Sequence, residues 1–522
     1  MIAVLQVFRR EQGHLVRVGA LSQDVTLEGI VEQHEYLIQV TGKGSRLFVD
    51  DAPLTTDALE EYWLWSPGFY AGRVQFELER VGYLEPLHFT ADVSPEPNKS
   101  GRAQFLNYIS QIADYAPEMI VGTEPARYQL GGTSRTRLGY WLRYARLRTF
   151  IDDYLKALRS IVERPLVRNR HYREQVPVHL ARQVDIATVR QLERNPALLT
   201  AIAGGHFHDS EPCLTDDRLD IPFNEPSFDH PANRLITQQL HRILWQVTDL
   251  IEWFSLYREK TSETETDIQS RMPRRIVWLS RVRKQLLRFT RQEPFRAVDH
   301  HHVDVAAINA IAGLPHYGRG HRLGVRILQE GISGISSDEH HYLVPTWQVY
   351  EAWCFVALAV QLEQQLPDYE WQLKSTIRSA DLLLSGHKGG SQIHLYTQMV
   401  CPSLENPNRY GYYSISRERR PDIVLEYTDV DRTDFVCLDS KYTSHNRGIL
   451  EAMASAHIYN DAVKHQGKSP VCSLLLVPNN QNTEKLETEQ YIENHHVGCI
   501  TLNNNNDAKK VLYDLLQRLT KH

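Results

Sequence analysis

The first hundred residues carry short segments in which hydrophobic and polar positions alternate. These segments are rich in β-branched and aromatic residues, and Gly, Pro and Asp separate them. Such runs predict β-strands that are joined by turns. The clearest of them read HEYLIQV, RLFVDD, GRVQFELERV and LHFTADV. We therefore predict a β-rich N-terminal domain over residues 1–100, which ends near the turn-rich stretch Pro95–Gly101.

Beyond this stretch the spacing of the apolar positions changes from that of a strand to that of a helix. Apolar side chains recur at i, i+3 and i+4 in residues 138–162 and again in residues 233–257, which predicts amphipathic helices. A polar segment, residues 258–271, separates the second helix from a strongly basic one. We predict a mainly α-helical domain over residues 101–340.

A third pattern begins after Tyr342, where short apolar runs alternate with helical segments. Residues 345–366 predict a helix with Thr346 as its N-cap. Five strand-like runs follow, with one helical segment between the third and the fourth and another after the fifth: SQIHLYTQ, DIVLEY, DFVCLDSKY, VCSLLLVP and GCITL. This alternation predicts an α/β domain with a mixed central sheet over residues 341–522. The whole chain is thus expected to be a multidomain α+β protein.

Composition narrows the class of protein. The 522 residues, 42% of them hydrophobic and 23% charged, are typical of a globular protein with about two to four domains. The six cysteines form no C-x-x-C pair, which argues against a zinc ribbon or a disulfide scaffold and favours a reducing compartment. The apolar run Trp353–Val360 is too short to span a bilayer, and the N-terminus lacks the basic region of a secretory signal. We expect a cytoplasmic protein with no membrane contact.

Charge is unevenly distributed along the chain. The net charge of −6 argues against a uniformly basic surface, yet residues 271–296 contain nine basic residues and one acid. Five of these basic residues are candidates for binding DNA phosphates: Arg281, Arg283, Lys284, Arg288 and Arg291. The alternative, equally supported, is a solvated helix face whose arginine stems cover apolar surface. A second basic stretch, residues 135–148, has aromatic residues at core-facing spacing and is predicted to be structural.

An acid and a lysine end a strand that otherwise consists of residues typical of a buried core. Side chains alternate between the faces of a strand, so Asp439 and Lys441 are expected to project together. The turn TDVDRTD predicts a hairpin with the preceding strand, which brings Asp422 alongside. Two carboxylates and a lysine suit Mg²⁺ or Mn²⁺, an ion that activates water and neutralises phosphate charge. On spacing alone, however, a surface salt bridge at a strand end is the stronger interpretation.

Pro421-Asp422, followed by Asp439-Ser440-Lys441, resembles the signature of the PD-(D/E)XK nucleases. Three further segments resemble one branch of that superfamily. Residues 349–358 resemble its tyrosine–glutamate–x–tryptophan helix, and residues 451–463 resemble its helix after the D-x-K strand. Residues 230–236 resemble a Pro–x–Asn–Arg segment of the associated helical domain. Together these segments resemble the McrC-like nucleases of restriction and phage-defence systems.

The resemblance implies a restriction-endonuclease-like C-terminal domain with a site for Mg²⁺ or Mn²⁺. It implies metal ligation by Glu351, Asp422 and Asp439, activation of water by Lys441, and a position facing the site for His457 and Tyr459. Glu426 lies on the same strand face as Asp422. It is either a spare ligand or, as the residues alone favour, a solvated acid at the strand end.

The resemblance also implies a function. It indicates a metal-dependent DNA endonuclease subunit of a restriction or phage-defence system, acting with a separate AAA+ NTPase. The chain itself has no G-x-x-x-x-G-K-[ST] motif that could bind a nucleotide. Two alternatives stay open: a non-catalytic adaptor with a nuclease-like fold that bridges a motor protein to DNA, and a nuclease that acts on RNA.

Two histidine-rich stretches, residues 299–304 and 336–343, invite a metal-binding interpretation. Adjacent histidines point in different directions, so at most two in the first stretch could ligate one ion. We predict that both stretches are loops.

Overall fold

The structure, a computed structural model, describes most of the chain. The described residues are 4–11, 13–40, 42, 44–83, 85–122, 127–129, 139–196, 199, 218–260, 266–299, 305–311, 313–329, 340–375, 382–430, 432–480 and 483–521. Contacts divide the chain into two compact units. The first comprises Met1–Thr149, Trp253–Val277 and Gln329–His522, and the second comprises Phe150–Glu252 and Trp278–Leu328.

Strands are concentrated towards the two ends of the chain. In the described residues they are β1 (Leu5–Glu11), β2 (His14–Leu21), β3 (Leu27–Val31), β4 (Tyr36–Gln39), β5 (Arg46–Val49), β6 (Ala52–Pro53), β7 (Thr55–Thr56), β8 (Tyr62–Trp65), β9 (Gly72–Glu79), β10 (Leu87–Ser94), β11 (Arg127–Gln129), β12 (Arg168–Pro177), β13 (Arg218–Ser227), β14 (His340–Tyr342), β15 (Glu370–Ser375), β16 (Leu382–Lys388), β17 (Ser391–Thr397), β18 (Tyr412–Ser414), β19 (Ile423–Asp429), β20 (Arg432–Ser440), β21 (Val463–His465), β22 (Ser473–Val477) and β23 (Val497–Thr501).

Helices fill the middle of the chain and flank the C-terminal strands. Within the described part they are α1 (Gly101–Tyr115), α2 (Tyr140–Glu163), α3 (Ile186–Arg194), α4 (Pro231–Lys260), α5 (Thr266–Phe289), α6 (Val305–Ile311), α7 (Pro315–Leu328), α8 (Thr346–Gln365), α9 (Asn446–Ala462), α10 (Glu489–His495) and α11 (Asn505–Lys521). Short 3₁₀ helices span Pro117–Met119, Val178–Leu180 and Glu484–Glu487.

Two sheets form the N-terminal part of the first unit. One has the order β2-β1-β4-β8-β7, and the other has the order β14-β11-β9-β10-β3, with β5 also beside β9. Strand β9 shows why these residues form a sheet: Val74, Phe76 and Leu78 are buried, whereas Arg73 and Gln75, on the opposite face, are exposed. Inward side chains of both sheets share one hydrophobic core. The β-rich character predicted for this part is confirmed.

The C-terminal part of the first unit is built on a mixed sheet with the order β15-β16-β17-β19-β20-β22-β23. The strands from β15 to β20 pair antiparallel, whereas β20, β22 and β23 run parallel. Helix α8 is apolar on nearly all sides because it contacts α1, α11 and the sheet strands β17 and β20. It begins at Thr346, whose hydroxyl donates to Glu32 Oε2 at 2.7 Å instead of serving as the predicted N-cap.

In the second unit, a buried asparagine connects the start of α4 to three neighbouring segments of the chain. The Asn233 side chain donates to the carbonyl oxygens of Leu166 at 2.9 Å and Phe228 at 2.7 Å. Its Oδ1 accepts from the hydroxyl of Tyr317, on α7, at 2.5 Å. Because an unpaired buried amide is costly, these three bonds fix the local chain path. The Pro–x–Asn–Arg segment therefore has a structural role here.

The predicted fold class is confirmed: the chain has a β-rich N-terminal part, a helical middle and a C-terminal mixed sheet. The predicted domain bounds, 1–100, 101–340 and 341–522, stay a prediction. Among the described residues, no helix combines the length and the apolar character needed to cross a membrane.

Candidate functional site

The hairpin of β19 and β20 brings two carboxylates together. Ile423 pairs with Leu438 in its antiparallel register, so Asp422 and Asp439 face each other at its open end. The backbone N–H of Ser440 donates to Asp422 Oδ2 at 2.8 Å. The hairpin is therefore the one that the sequence predicts.

Asp439 is the buried centre of the site. Its side chain is 2% exposed, and the ammonium of Lys441 lies 2.8 Å from its Oδ2. The hydroxyl of Ser455, on α9, donates to the same oxygen. Burial lowers the pKa of Lys441, but the carboxylates around it, Asp439 first, outweigh burial and raise that pKa above its ordinary value. Lys441 is therefore a protonated ammonium that is paired with a buried acid.

A third carboxylate reaches the site from α8. The side-chain nitrogen of Gln398, which follows β17, donates both to Glu351 Oε1 and to Asp422 Oδ1, the latter at 3.1 Å. Burial raises the pKa of Glu351 and of Asp422, and the negative charge of Asp439 raises both further. The structure thus brings Glu351, Asp422, Asp439 and Lys441 into one electrostatically connected group.

Among the described residues, no three His, Cys, Asp or Glu side chains are arranged so that they could hold a metal ion as they stand. The carboxylates are engaged by other groups instead: Gln398 donates to Glu351 and Asp422, while Lys441 and Ser455 engage Asp439. The donor chemistry nonetheless fits a hard divalent cation, because partly buried carboxylates that repel one another require positive charge. By their chemistry the three carboxylates therefore suit Mg²⁺ or Mn²⁺.

An open cleft with a volume of about 580 Å³ reaches the site at Lys441 and Ser455, both of which contact Asp439. Its wall includes four cationic residues, two acids and two hydroxyl groups: Arg417, Arg419, Arg420, Lys441, Glu418, Glu451, Ser455 and Tyr459. The Nε of Arg419 is buried and has no hydrogen-bond partner in the described part of the chain. The Nε of Arg420 donates to the carbonyl oxygen of Gln398 at 3.2 Å. A cleft with this many cationic groups suits a polyanion.

The two predicted residues of α9 have different positions. Tyr459 lines the cleft, and its hydroxyl donates to the carbonyl oxygen of Arg420 at 3.1 Å. His457 is exposed and is not part of the cleft wall. Because successive helical residues are about 100° apart, residues four apart share a face. That geometry puts Ser455 with Tyr459 and turns His457 away.

Three features of the site were not predicted from the sequence. The run SRERR directly before Pro421 is a visible cluster of charge, and it could have indicated the basic wall of the cleft. Ser455 lies one helical turn before Tyr459, so the predicted position of Tyr459 also pointed to it. For Gln398 the sequence gives no signal, since its role depends on how β17 lies beside β19.

Glu426 is not the solvated strand-end acid that the sequence favours. It is buried, accepts from Tyr412 Oη at 2.6 Å, and lies 2.8 Å from His394 Nδ1. Its two carboxylate oxygens are thus engaged within the fold. The partners of Glu426 are therefore Tyr412 and His394, not the group of Glu351, Asp422 and Asp439.

The basic segment of residues 271–296 divides into two parts. Arg275 is buried, and its guanidinium lies 2.6 Å from Asp50 Oδ2; Arg271 is also buried and lies 3.8 Å from the same oxygen. The other part is exposed and consists of the five residues predicted to bind DNA: Arg281, Arg283, Lys284, Arg288 and Arg291. Their role in binding DNA stays a prediction.

Two further predictions concern stretches that the structure describes only in part. Of the stretch 135–148, the described part supports a structural role: Arg148 lies 2.8 Å from Glu77 Oε1 and 3.4 Å from Asp51 Oδ1. Residues 135–138 lie outside the described residues, as do residues 300–304 and 336–339 of the two histidine-rich stretches. His340–Tyr342 of the second stretch form β14, which pairs with β11, so the predicted loop is wrong there.

A family model matches part of the chain, and a solved structure is weakly similar to it. The family described as "Domain of unknown function (DUF2357)" matches residues 66–305, a range that ends before Glu351. None of the curated proteins compared with the chain is similar to it in sequence. Among solved structures, the chain is similar to one in a refined half-complex from the tetradecameric assembly of Thermococcus gammatolerans McrB AAA+ hexamers with bound McrC. The two chains are 10% identical over 88% of this chain and 85% of that one, with a TM-score of 0.24. At this score the likeness establishes neither fold nor function.

Proposed function

We propose that the chain is a metal-dependent endonuclease that hydrolyses phosphodiester bonds in DNA. The convergence of Glu351, Asp422, Asp439 and Lys441 beside one arginine-lined cleft is the observation that carries this proposal. The PD-(D/E)XK signature of the sequence supports it, since these are the four residues that the resemblance names. On this proposal, phosphate binding and hydrolysis take place at the same end of the sheet.

Each residue of the site then has a chemical task. Mg²⁺ or Mn²⁺ held by Glu351, Asp422 and Asp439 would activate a water molecule and neutralise phosphate charge. The ammonium of Lys441, held beside Asp439, stabilises the negative charge that develops on the attacked phosphate and orients the water. Ser455 fixes the carboxylate of Asp439, which keeps it from turning away from the cleft.

The arginines of the cleft wall bind the DNA backbone. Arg419 has a buried Nε that no described residue satisfies, and Arg417 is exposed at the cleft. A guanidinium donates two parallel hydrogen bonds to phosphate oxygens, and binding releases condensed counterions. Both effects make DNA affinity depend on these side chains and on salt.

Replacing Arg417 and Arg419 together by alanine is expected to weaken duplex DNA binding by about tenfold or more at moderate salt. The slope of log affinity against log salt should become less steep by about 1.8, since two phosphate contacts are lost. Fluorescence anisotropy over a series of salt concentrations measures both quantities. The matched control replaces Arg10 and Arg46, exposed arginines of the N-terminal sheets that pair with Glu35 and Glu79. If the two double variants gave equal slopes of log affinity against log salt, Arg417 and Arg419 would not contact the DNA phosphates.

The test of the function is a comparison of substrates. Labelled duplex DNA, single-stranded DNA and RNA of the same sequence are incubated with the protein and Mn²⁺, with and without chelator. We expect cleavage of DNA that requires the cation. Preferential cleavage of RNA would assign the same chemistry to the other nucleic acid, and no cleavage of any substrate in the presence of an active partner NTPase would contradict the proposal.

The biological setting proposed here is a cytoplasmic restriction or phage-defence system with a separate AAA+ NTPase. It is supported by the resemblance of residues 349–358 and 451–463 to the McrC-like nucleases. The lack of a nucleotide-binding motif in the sequence agrees with an NTPase on another chain. Cleavage that depends on such a partner is therefore part of the proposal.

One observation favours a second candidate function, that of a non-catalytic adaptor. The amide of Gln398 lies between Glu351 and Asp422, so the carboxylates do not stand ready to bind a cation. Normal phage restriction by a variant with both Asp422→Ala and Asp439→Ala would favour the adaptor. Loss of restriction by a stably folded double variant would favour the nuclease.

A further inference from the structure

Gln398 is held in an unusual backbone conformation next to the carboxylates. Its φ is +48°, in the left-handed region that non-glycine residues seldom adopt. Its N–H donates to the Asp422 carbonyl oxygen at 2.7 Å, and its own carbonyl oxygen accepts from Arg420 Nε at 3.2 Å. Local strain of this kind persists only where neighbouring contacts enforce it. The backbone therefore keeps this side chain at the site.

The side-chain amide uses its nitrogen for two acids at once. A primary amide nitrogen carries two hydrogens, and here they serve Glu351 Oε1 and Asp422 Oδ1. Within the described residues, the amide oxygen has no hydrogen-bond partner. All of the polar contact of the side chain is thus donation to the carboxylate pair.

Because the amide nitrogen donates to both acids, it stabilises their negative charges as a cation between them would. Two partly buried carboxylates repel each other, and each needs a positive partner. Lys441 and Ser455 both contact Asp439. Among the described residues, Gln398 is the side chain that donates to both Glu351 and Asp422. A divalent ion bound by the same two acids would have to occupy the space of that nitrogen.

We propose that Gln398 is a stand-in for the divalent cation: its amide hydrogens hold Glu351 and Asp422 together in the metal-free protein and must be displaced when the ion binds. This inference rests on the proposed function, because it assumes that the carboxylates bind a divalent ion. It makes Gln398 a positioning residue that competes with the ion. A direct ligand or an ordinary supporting residue would instead strengthen ion binding.

If Gln398 competes with the ion, removing its two donors should strengthen the binding of Mn²⁺. Gln398→Met keeps the length of the side chain but removes both donors, so the ion no longer has to displace them. We expect Mn²⁺ to bind about tenfold more tightly, because the variant removes hydrogen bonds to charged groups that compete with the ion. In chelator the same variant should melt at a lower temperature than the wild type, because two acids lose their donor. The gain in melting temperature on adding Mn²⁺ should therefore be larger than in the wild type.

Isothermal titration calorimetry with Mn²⁺ and thermal melting in chelator give both readouts without any cleavage assay. Gln392→Met is the matched control, because Gln392 is an exposed glutamine of β17, the strand that Gln398 directly follows. Gln398→Asn is a second variant that tolerates the left-handed backbone but is too short to reach both acids. It should also bind Mn²⁺ more tightly and keeps the test available if the methionine variant does not fold.

Equal or weaker Mn²⁺ binding by the Gln398 variants would overturn the inference and leave the proposed function standing. Absence of Mn²⁺ binding in the wild type and in every variant would overturn the proposed function as well. The control for specific binding is Asp422→Ala/Asp439→Ala, in which the heat of Mn²⁺ binding should disappear.

Discussion

Replacing Asp439 or Lys441 by alanine is expected to abolish Mn²⁺-dependent cleavage of DNA, with a loss on the order of a thousandfold. Asp439 is the most buried acid of the site. Its Oδ2 pairs with the ammonium of Lys441 and accepts a hydrogen bond from the hydroxyl of Ser455. On the proposed function, losing the acid removes a metal ligand, and it also leaves the ammonium without its partner. Losing the lysine removes the charge that, on the same proposal, stabilises the attacked phosphate. Single-turnover cleavage of a labelled duplex measures both effects.

The controls come from the same part of the fold. Asp434 lies at the other end of β20 and pairs with Arg432 at 3.5 Å, while Lys464 is a partly exposed lysine that donates to Ser469. Alanine at either control position should leave cleavage within about twofold of the wild type, as expected for surface changes away from the site. Circular dichroism and melting curves show whether Asp439→Ala and Lys441→Ala remain folded. If both folded variants cut DNA at the wild-type rate, the four residues are not the active site.

The parts of the site that could be predicted from the sequence are those that depend on local geometry. Alternation along β20 put Asp439 and Lys441 on one side, and the short charged turn after β19 required a hairpin that brought Asp422 across. The helical acid Glu351 came from resemblance to a known family, because its distance along the chain gives no geometric information. In the structure it is connected to Asp422 through Gln398.

The parts that could not be predicted depend on which elements become neighbours. Glu426 was expected at a solvated strand end, but β17 lies beside β19 and brings His394 against it. The basic segment looked uniform in sequence, yet Arg275 is buried against Asp50 of the N-terminal part. The orientation of α9 about its axis decides that Ser455 faces Asp439 while His457 is exposed. No periodicity in the sequence carries this information.

Replacing Asp422 by asparagine is expected to stabilise the metal-free protein and to remove its stabilisation by Mn²⁺. Burial, then the charges of Asp439 and Glu351, raise the pKa of Asp422 well above its ordinary value. The fold therefore disfavours the ionised form that prevails at high pH. Asparagine has a similar shape and keeps an oxygen that can accept from the N–H of Ser440, but it carries no charge and is a poor ligand for a hard cation.

The sign of the pH dependence follows from linkage. Since the pKa of Asp422 is higher in the folded than in the unfolded chain, the folded protein binds more protons between those two values. The stability that this group contributes is fully present below the ordinary carboxyl range, near pH 4, and is lost as the pH rises through the raised pKa. In chelator, the melting temperature of the wild type should thus fall relative to that of Asp422→Asn as the pH rises. Glu351, whose pKa is also raised, first by burial, contributes in the same direction.

Mn²⁺ should reverse this order at pH 8. An ion that binds only the folded protein stabilises it by about 2.7 kcal/mol at a hundred times its dissociation constant, so the wild type gains stability while Asp422→Asn gains little. Asp429→Asn, at the exposed far end of β19, the strand that Asp422 directly precedes, is the control that should follow the wild type in both conditions. If Asp422→Asn melts below the wild type in chelator at pH 8, then the hydrogen bonds from Ser440 and Gln398 outweigh the cost of the charge. Asp422 would then stabilise the fold in its ionised state, and binding a cation would not be needed to explain why a buried acid is present at this position.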